Sequence, residues 1–406
     1  MNIKKFNIFN WLLQVFGVSI RELKLIFADV GVIIFFLVVC LVYPVLYSLI
    51  YNTELPRDVK VVVVDDDRSA DTREFVRMLD ATQEVAVVGY AASMQEARRL
   101  VNDHECYSIV HFPADFSASV ERLGEQAHVN VYCDMSVMMR YRQTLIAVNA
   151  VQQEMNAHIQ AATVSAIPMN VGGTTLDNKQ VPLGNTAMGL ASAVLPCILV
   201  LVLQQSMILG VGMLHGGSRD RRRRNGGIDP EQLNCSALVT VLGRTVAYLL
   251  VYVVPTFYTL LLVPKFFSFP QNGNPFEIIM MSLPYLIACA LFAQTLKVLI
   301  KGREATFITL VFTSVGFVFL SGISWPRYQM SELWQAVGNM IPSTWAASSY
   351  IQMQSNGASL FDQGPTHVML WLLCGIYLVT ATFAEYYIAR RQNTGESPSP
   401  LKGERL

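Results

Sequence analysis

The chain has 406 residues, 52% hydrophobic and 15% charged, with 30 basic and 30 acidic side chains. Its positive mean hydropathy and 21 Phe exclude an ordinary soluble enzyme and point to a membrane protein. The zero net charge hides a division: residues 52–185 hold 18 of the 30 acids but 11 of the 30 bases, an acidic module in a basic, apolar frame. Nucleic-acid binding is excluded because the bases flank apolar runs rather than forming a soluble face.

In chain order, Phe6–Phe27 reads as an amphipathic helix lying in a membrane interface, with Trp11, Phe16 and Phe27 as its apolar contacts. Val30–Ile50 is the first of six stretches long and apolar enough to cross a bilayer. A basic lead before a long apolar run without a small-residue cleavage site is not a cleavable signal peptide.

Residues 57–162 alternate strands and helices. Val59–Val64 predicts a strand, Ala70–Leu79 a helix capped by Ser69, and Glu84–Tyr90 a strand. Ser93 and Glu96 form a capping box for the next helix. Tyr107–Phe112 is a strand, Ser117–Leu123 a short helix ended by Gly124, His128–Tyr132 a strand and Ser136–Gln160 a long helix. The alternation implies a small α/β sheet with crossovers. The stretch VVVVDDDRS resembles the acidic pocket of a phosphate-accepting receiver. It lacks an Asp ending the third strand and a Lys ending a later one. Asp65, Asp66 and Asp67 are therefore expected to form the turn after a buried strand, with Asp67 in an Asx-turn before the helix.

The remaining spans are Thr186–Leu214, Ser236–Val263, Glu277–Leu299, Ala305–Ile323 and Val368–Ile388, none with a charge at its centre. Lys4, Lys5, Arg21, Lys24, Arg219, Arg221–Arg224, Lys297, Lys301, Arg303, Arg390 and Arg391 fall on one side, against Lys265 and Arg327 on the other. The positive-inside rule places both termini in the cytoplasm and the α/β module outside. The expected fold is an α-helical polytopic membrane protein with six transmembrane helices, one plus five, and an external α/β domain inserted after the first. Its boundaries are an interfacial helix at 1–28, the first span at 29–51, the module at 52–185, five spans over 186–389 and a disordered tail over 390–406.

Two loops stand out. GGSRDRRRRNGG (216–227) holds Arg219, Arg221, Arg222, Arg223, Arg224 and Asn225 between glycine pairs that should break the helix. It anchors topology and also suits docking of a partner or contact with lipid headgroups. Residues 321–350 carry Ser321, Gly322, Trp325, Pro326, Trp334, Pro342 and Trp345 with almost no charge. This stretch reads as one or two short helices re-entering the outer leaflet at about 324–350. Gln204 and Gln205 are the main polar intrusion in a span and are expected to pack at a helix interface or line a path. The spans lack internal acids suited to proton coupling. No phosphate-binding P-loop, zinc motif or nucleophile elbow occurs, so no catalytic residue and no metal site is expected.

Taken together, VVVVDDDRSADTREFVRMLDAT, IVHFPADFSASVERLGEQAHVNVYCD, SGISWP and MIPSTW, in this order within a one-plus-five topology, resemble the type-2 permease subunits of ATP-binding-cassette exporters, the drug-export kind with a large external domain. The resemblance covers nearly the whole chain. It implies a transport subunit with no cofactor of its own. A separate cytoplasmic ATPase would bind ATP and Mg, and a second permease chain, identical or related, would complete the path. A periplasmic adaptor with an outer-membrane channel is a further implied partner. The implied location is the cell inner membrane, and the implied cargo a drug-like or lipid amphiphile. Where that family has a Glu-Arg-Glu-rich stretch after the second span, this chain has arginines with Asp220 as the one acid. Competing readings are a membrane-anchored ligand sensor, an ion-coupled secondary transporter with repeated halves, and a membrane enzyme.

Overall fold

The computed structural model describes residues 8–51, 56–121, 126–134, 138–166, 184, 189–226, 229, 231, 233, 235–300 and 302–393. The chain divides into two compact units, one of residues 1–52 with 182–406 and one of residues 53–181.

In the larger unit, α1 (Ile8–Ala28) precedes six helices, among the described residues, that are long and apolar enough to span a membrane. These are α2 (Val30–Ile50), α7 (Leu190–Arg224), α8 (Ala237–Phe266), α9 (Pro275–Leu296), α10 (Arg303–Leu320) and α13 (Gly364–Asn393). Two short helices, α11 (Glu332–Asn339) and α12 (Pro342–Asn356), lie between α10 and α13. Phe36, Met207, Tyr248, Tyr252, Tyr285, Ala346 and Tyr350 build its core. The tyrosine hydroxyls cannot be left unpaired in an apolar core. Tyr350 donates to the Leu260 carbonyl at 2.6 Å, which Pro264 leaves without its usual helical donor. Thr259 likewise donates to the Cys40 carbonyl that Pro44 leaves open, at 3.3 Å. Prolines inside these spans are thus satisfied by neighbouring helices.

The smaller unit is a four-stranded sheet in the order β2-β1-β3-β4. Its strands are β1 (Val59–Asp65), β2 (Val85–Tyr90), β3 (Ser108–Phe112) and β4 (Asn130–Cys133). β1 pairs parallel with β2 and β3, and β4 is antiparallel to β3. Helices α3 (Ala70–Asp80), α4 (Met94–Asn102), α5 (Phe116–Glu121) and α6 (Met138–Ala166) complete it. The unbroken valines of β1 follow from burial on both faces. Val61 and Val63 pack with Phe75 and Phe112, while Val62 and Val64 pack with Ala97 and Ile109. Gly124 and most of 167–188 lie outside the described residues.

The aspartate turn differs in detail from expectation. Asp65 makes the Asx-turn, accepting from the backbone N–H of Asp67 at 3.2 Å and Arg68 at 2.8 Å. Asp67 instead crosses to α5, accepting from the backbone N–H of Ser117 at 3.2 Å and its hydroxyl at 3.0 Å. A bond from the Ser69 side chain foremost, with those from Ser117, holds its carboxyl below the usual range. The Arg68 backbone has φ +54°, a left-handed turn that re-aims the chain after Asp67. Ser69 caps α3 through the Thr72 N–H, as expected. The Ser93 box forms with a shift of one residue: Glu96 accepts from Ala92 rather than from Ser93.

Candidate functional site

Charged side chains converge where α1 packs on the bundle. α1 is amphipathic in an unusual sense. Ile8, Phe9, Leu12, Leu13 and Phe16 are exposed, while Val18, Ser19, Glu22 and Ile26 face inward. Gly243 on α8 admits Val18 so closely that a Cβ there would lie 2.6 Å from the Val18 Cβ. One turn along, Glu22 is buried. It accepts from the Tyr248 hydroxyl at 2.7 Å and faces the Arg244 guanidinium at 3.5 Å. Arg244 also donates to Glu385 on α13 at 2.9 Å, and Lys297, just past the end of α9, donates to the same Glu385 oxygen. The result is an alternating chain, Glu22–Arg244–Glu385–Lys297, of two acids and two bases. Its side chains are 5%, 16%, 12% and 2% exposed, so solvent screening is slight. A cavity of about 20 Å³ adjoins it, lined in part by Arg21, His215, Arg221 and Gln294. That volume holds about one water.

Glu22, Arg244 and Glu385 were not singled out from the sequence, and Lys297 was counted only among the flanking bases; no charge lies at the centre of a span, but Glu385 is an acid inside one, where none was expected. Arg244 lies within α8 and Glu385 within α13. The available signal was each lone charge inside an apolar run, GRTVAYLL and TFAEYYIA; their mutual pairing spans 141 residues and has no local trace.

The expected glycine-broken loop at 216–227 is also corrected. α7 runs unbroken through Gly216 and Gly217 to Arg224, and the turn comes at Asn225 and Gly226, where φ is +65°. Gly216 serves close approach instead: a Cβ there would meet the Arg303 backbone nitrogen at 2.7 Å. The arginines are not equivalent. Arg219 donates to the Ile300 carbonyl at 3.0 Å. Arg221 grips buried Asp229 through two nitrogens at 3.1 and 3.3 Å, and Ser218 donates to the same carboxylate. Burial raises the Asp229 carboxyl, but those bonds outweigh it and hold it below the usual range. Arg222 is half-buried, while Arg223, Arg224 and Asn225 are exposed. Asp220 faces Arg303 at 3.9 Å, and Arg303 also pairs with Asp29, which starts α2 by accepting from the Gly31 N–H.

At the far end of α10, Ser321 is buried and Gly322, with φ +88°, turns the chain. Trp325, Pro326 and Trp334 are exposed. Pro342 opens α12, which is buried along most of its length. Its Ser343 N–H donates to the Gln204 side chain at 2.8 Å, near the middle of the 35-residue α7. Trp345 donates to the Asn339 carbonyl at 2.9 Å and lies under the Arg327 guanidinium at 5.0 Å. Gln204 therefore acts at a helix interface, satisfying a helix N-terminus. Gln205 is buried without a hydrogen bond from its amide.

Among the described residues, no group of three or more His, Cys, Asp or Glu gathers as a metal site, and Cys106 and Cys133 are free thiols. No curated protein matches the chain. Residues 30–383, which run from the first span into the last, match the family described as ABC-2 family transporter protein. With six spans, a four-stranded sheet after the first and a match over most of its length, the chain belongs to the ABC-2 transporter family and is a multi-pass membrane transport component.

Proposed function

We propose that this protein is the permease subunit of an ATP-binding-cassette exporter, moving a drug-like or lipid amphiphile outward through the inner membrane. The observation that carries this reading is the family match across 30–383. Family membership implies an ATP-binding partner subunit, and that subunit binds the ATP and Mg. A second permease chain completes the path.

Orientation follows from charge. Arg21 and Lys24 precede α2, Arg219 and Arg221–Arg224 end α7, Lys297 follows α9, Arg303 opens α10 and Arg390 falls in the last turn of α13; the positive-inside rule assigns these connections to the cytoplasm. Both termini are then cytoplasmic, and residues 53–181 form an external domain that gates the exit or meets a periplasmic adaptor. Arg223, Arg224 and Asn225 are the exposed tip of α7 and the contact for the ATPase. Arg219 and Arg221 hold that tip in place. α11 and α12 re-enter from the outer side, with Trp325 and Trp334 at the interface and Pro342 at mid-depth.

The test is reversal of the exposed tip. Arg223→Glu with Arg224→Glu leaves the Arg221–Asp229 contact intact. It is expected to abolish recovery of the ATP-binding subunit with the tagged chain while the permease stays folded in lipid. Unchanged recovery of that subunit counts against docking at this tip.

A further inference from the structure

We propose that the cavity beside the ion chain takes one phosphate oxygen of an anionic phospholipid, with Arg21 as its counter-charge. The lipid thereby helps to hold α1 against α7, α8 and α9, all of which line that cavity. This goes beyond the transport reading and shares with it only the orientation that puts Arg21 at the cytoplasmic face.

Charge balance points to an anion. Arg21, Arg221, Arg244 and Lys297 line the cavity. Three acids face them, and each is taken: Asp229 by Arg221, Glu22 by Arg244, and Glu385 by Arg244 and Lys297. Nearby, Arg219 and Arg222 add to the excess of base and Glu231 reduces it. Arg21 makes no ion pair among the described residues, and its Nε is buried without a hydrogen bond. Burial lowers the pKa of its guanidinium, and the attraction of Glu22 does not make up the loss. A half-buried charge without a partner is costly, so a counter-ion stabilises it. Donors also outnumber acceptors. Arg244 Nε is buried without a hydrogen bond, and so is His215 Nε2, which donates in the tautomer that carries its proton there. Among the lining residues only Gln294 Oε1 is an open acceptor, because both Glu22 oxygens are engaged, one by Tyr248 and one by Arg244.

Size and position decide which anion. A volume of about 20 Å³ takes one oxygen and not a whole phosphate group, so the phosphorus and the rest of the headgroup stay outside. Soluble phosphate has little further contact to make there, whereas a lipid has a great deal. Leu13, Phe16, Ile20, Lys24 and Phe27 recur at helical spacing and form one exposed stripe along α1. Arg21 lies on the helix between that stripe and the buried face of Val18 and Glu22. The apolar members of the stripe suit acyl chains, and Lys24, three residues from Arg21, suits a second phosphate oxygen. Basic pockets between helices at the cytoplasmic face are where anionic headgroups are held.

The test titrates the purified full-length chain with lipid and counts bound lipid by native mass measurement. Phosphatidylglycerol is expected to stay bound under conditions that strip phosphatidylcholine, whose ammonium already balances its phosphate. Arg21→Gln should weaken phosphatidylglycerol retention about tenfold, the loss of one charge-assisted contact. Lys24→Gln, whose side chain is exposed, should weaken it about fivefold and serves if Arg21→Gln does not fold. Arg224→Gln, equally exposed at the end of α7, should change it less than about twofold, which sets a site apart from general attraction to basic surface. In nanodiscs, phosphatidylglycerol should slow amide exchange across Ile8–Ala28 relative to phosphatidylcholine, and Arg21→Gln should abolish the difference. The inference is overturned if the two lipids are retained alike, if Arg224→Gln costs as much as Arg21→Gln, or if inorganic phosphate alone reproduces the slowed exchange. None of these readouts needs the ATP-binding subunit, so a failure of the permease reading and a failure of this site are told apart.

Discussion

Glu385→Ala is the most informative single change for stability. Glu385 carries both Arg244 and Lys297 on one oxygen, and its side chain is 12% exposed. Its removal leaves two buried bases facing one buried acid, Glu22. Breaking a buried pair by removing one partner costs about 3–5 kcal/mol, because the remaining charge loses its compensation. The tyrosine–glutamate contact of Tyr248 with Glu22 is untouched, so the loss should fall on the α13 and α9 end of the chain. The assay is reversible denaturation in mixed micelles, followed by tryptophan fluorescence. A double-mutant cycle with Lys297→Met separates charge from packing. Removing acid and base together restores the balance of Glu22 with Arg244, so the double variant should recover about 1–3 kcal/mol relative to additivity. A cost for Glu385→Ala below about 1 kcal/mol, typical of an exposed pair, with strictly additive variants, refutes the view of a dry, mutually dependent network.

Four further predictions follow from the geometry. Gly243→Val forces a branched side chain into Val18 and the Val15 carbonyl; it should cost about 1–3 kcal/mol by overpacking and loosen α1, read as faster proteolysis between α1 and α2. Gln204→Leu removes the acceptor for the Ser343 N–H and should destabilise by about 1–3 kcal/mol. Gln205→Leu, whose amide makes no hydrogen bond, should be neutral or stabilising in the same melting assay. Asp229 has a depressed folded-state pKa, so its contribution is present above its unfolded value and lost as pH falls through the folded one. Amide exchange at the end of α7, corrected for its intrinsic pH dependence, should therefore rise below about pH 4. Asp229→Asn should show that raised exchange already at neutral pH.

Much of the fold was legible because its causes are local. Six apolar runs announced six spans, since length and hydropathy alone decide whether a helix can cross a bilayer. β1 was visible as VVVV because both faces of the sheet are covered, and Ser69 and Ser93 cap helices through near neighbours. The larger misses are long-range, whereas the one-residue shift of the Ser93 box is local. Gly216 and Gly217 read as helix breakers, yet in α7 they make room for Arg303, more than 80 residues away. Asp67 reads as a local turn former, but its partner is Ser117, 50 residues on. The buried ion chain was invisible for the same reason: Glu22 and Tyr248 are 226 residues apart, and each charge alone looks like a helix-end anchor. A lone Arg or Glu well inside an apolar run is the one sequence sign that should have prompted a search for its partner.

The central claim is that this chain is a transport subunit driven by a separate ATPase. The most direct measurement is purification of the tagged, full-length chain from native membranes in a lipid-preserving polymer, with intact mass and ATP hydrolysis read on the same sample. The account predicts a second polypeptide in fixed stoichiometry that carries a G-x-x-x-x-G-K-[ST] loop, with vanadate-sensitive MgATP hydrolysis. A folded chain recovered alone, without ATP hydrolysis and with solute movement driven by a proton gradient, contradicts it.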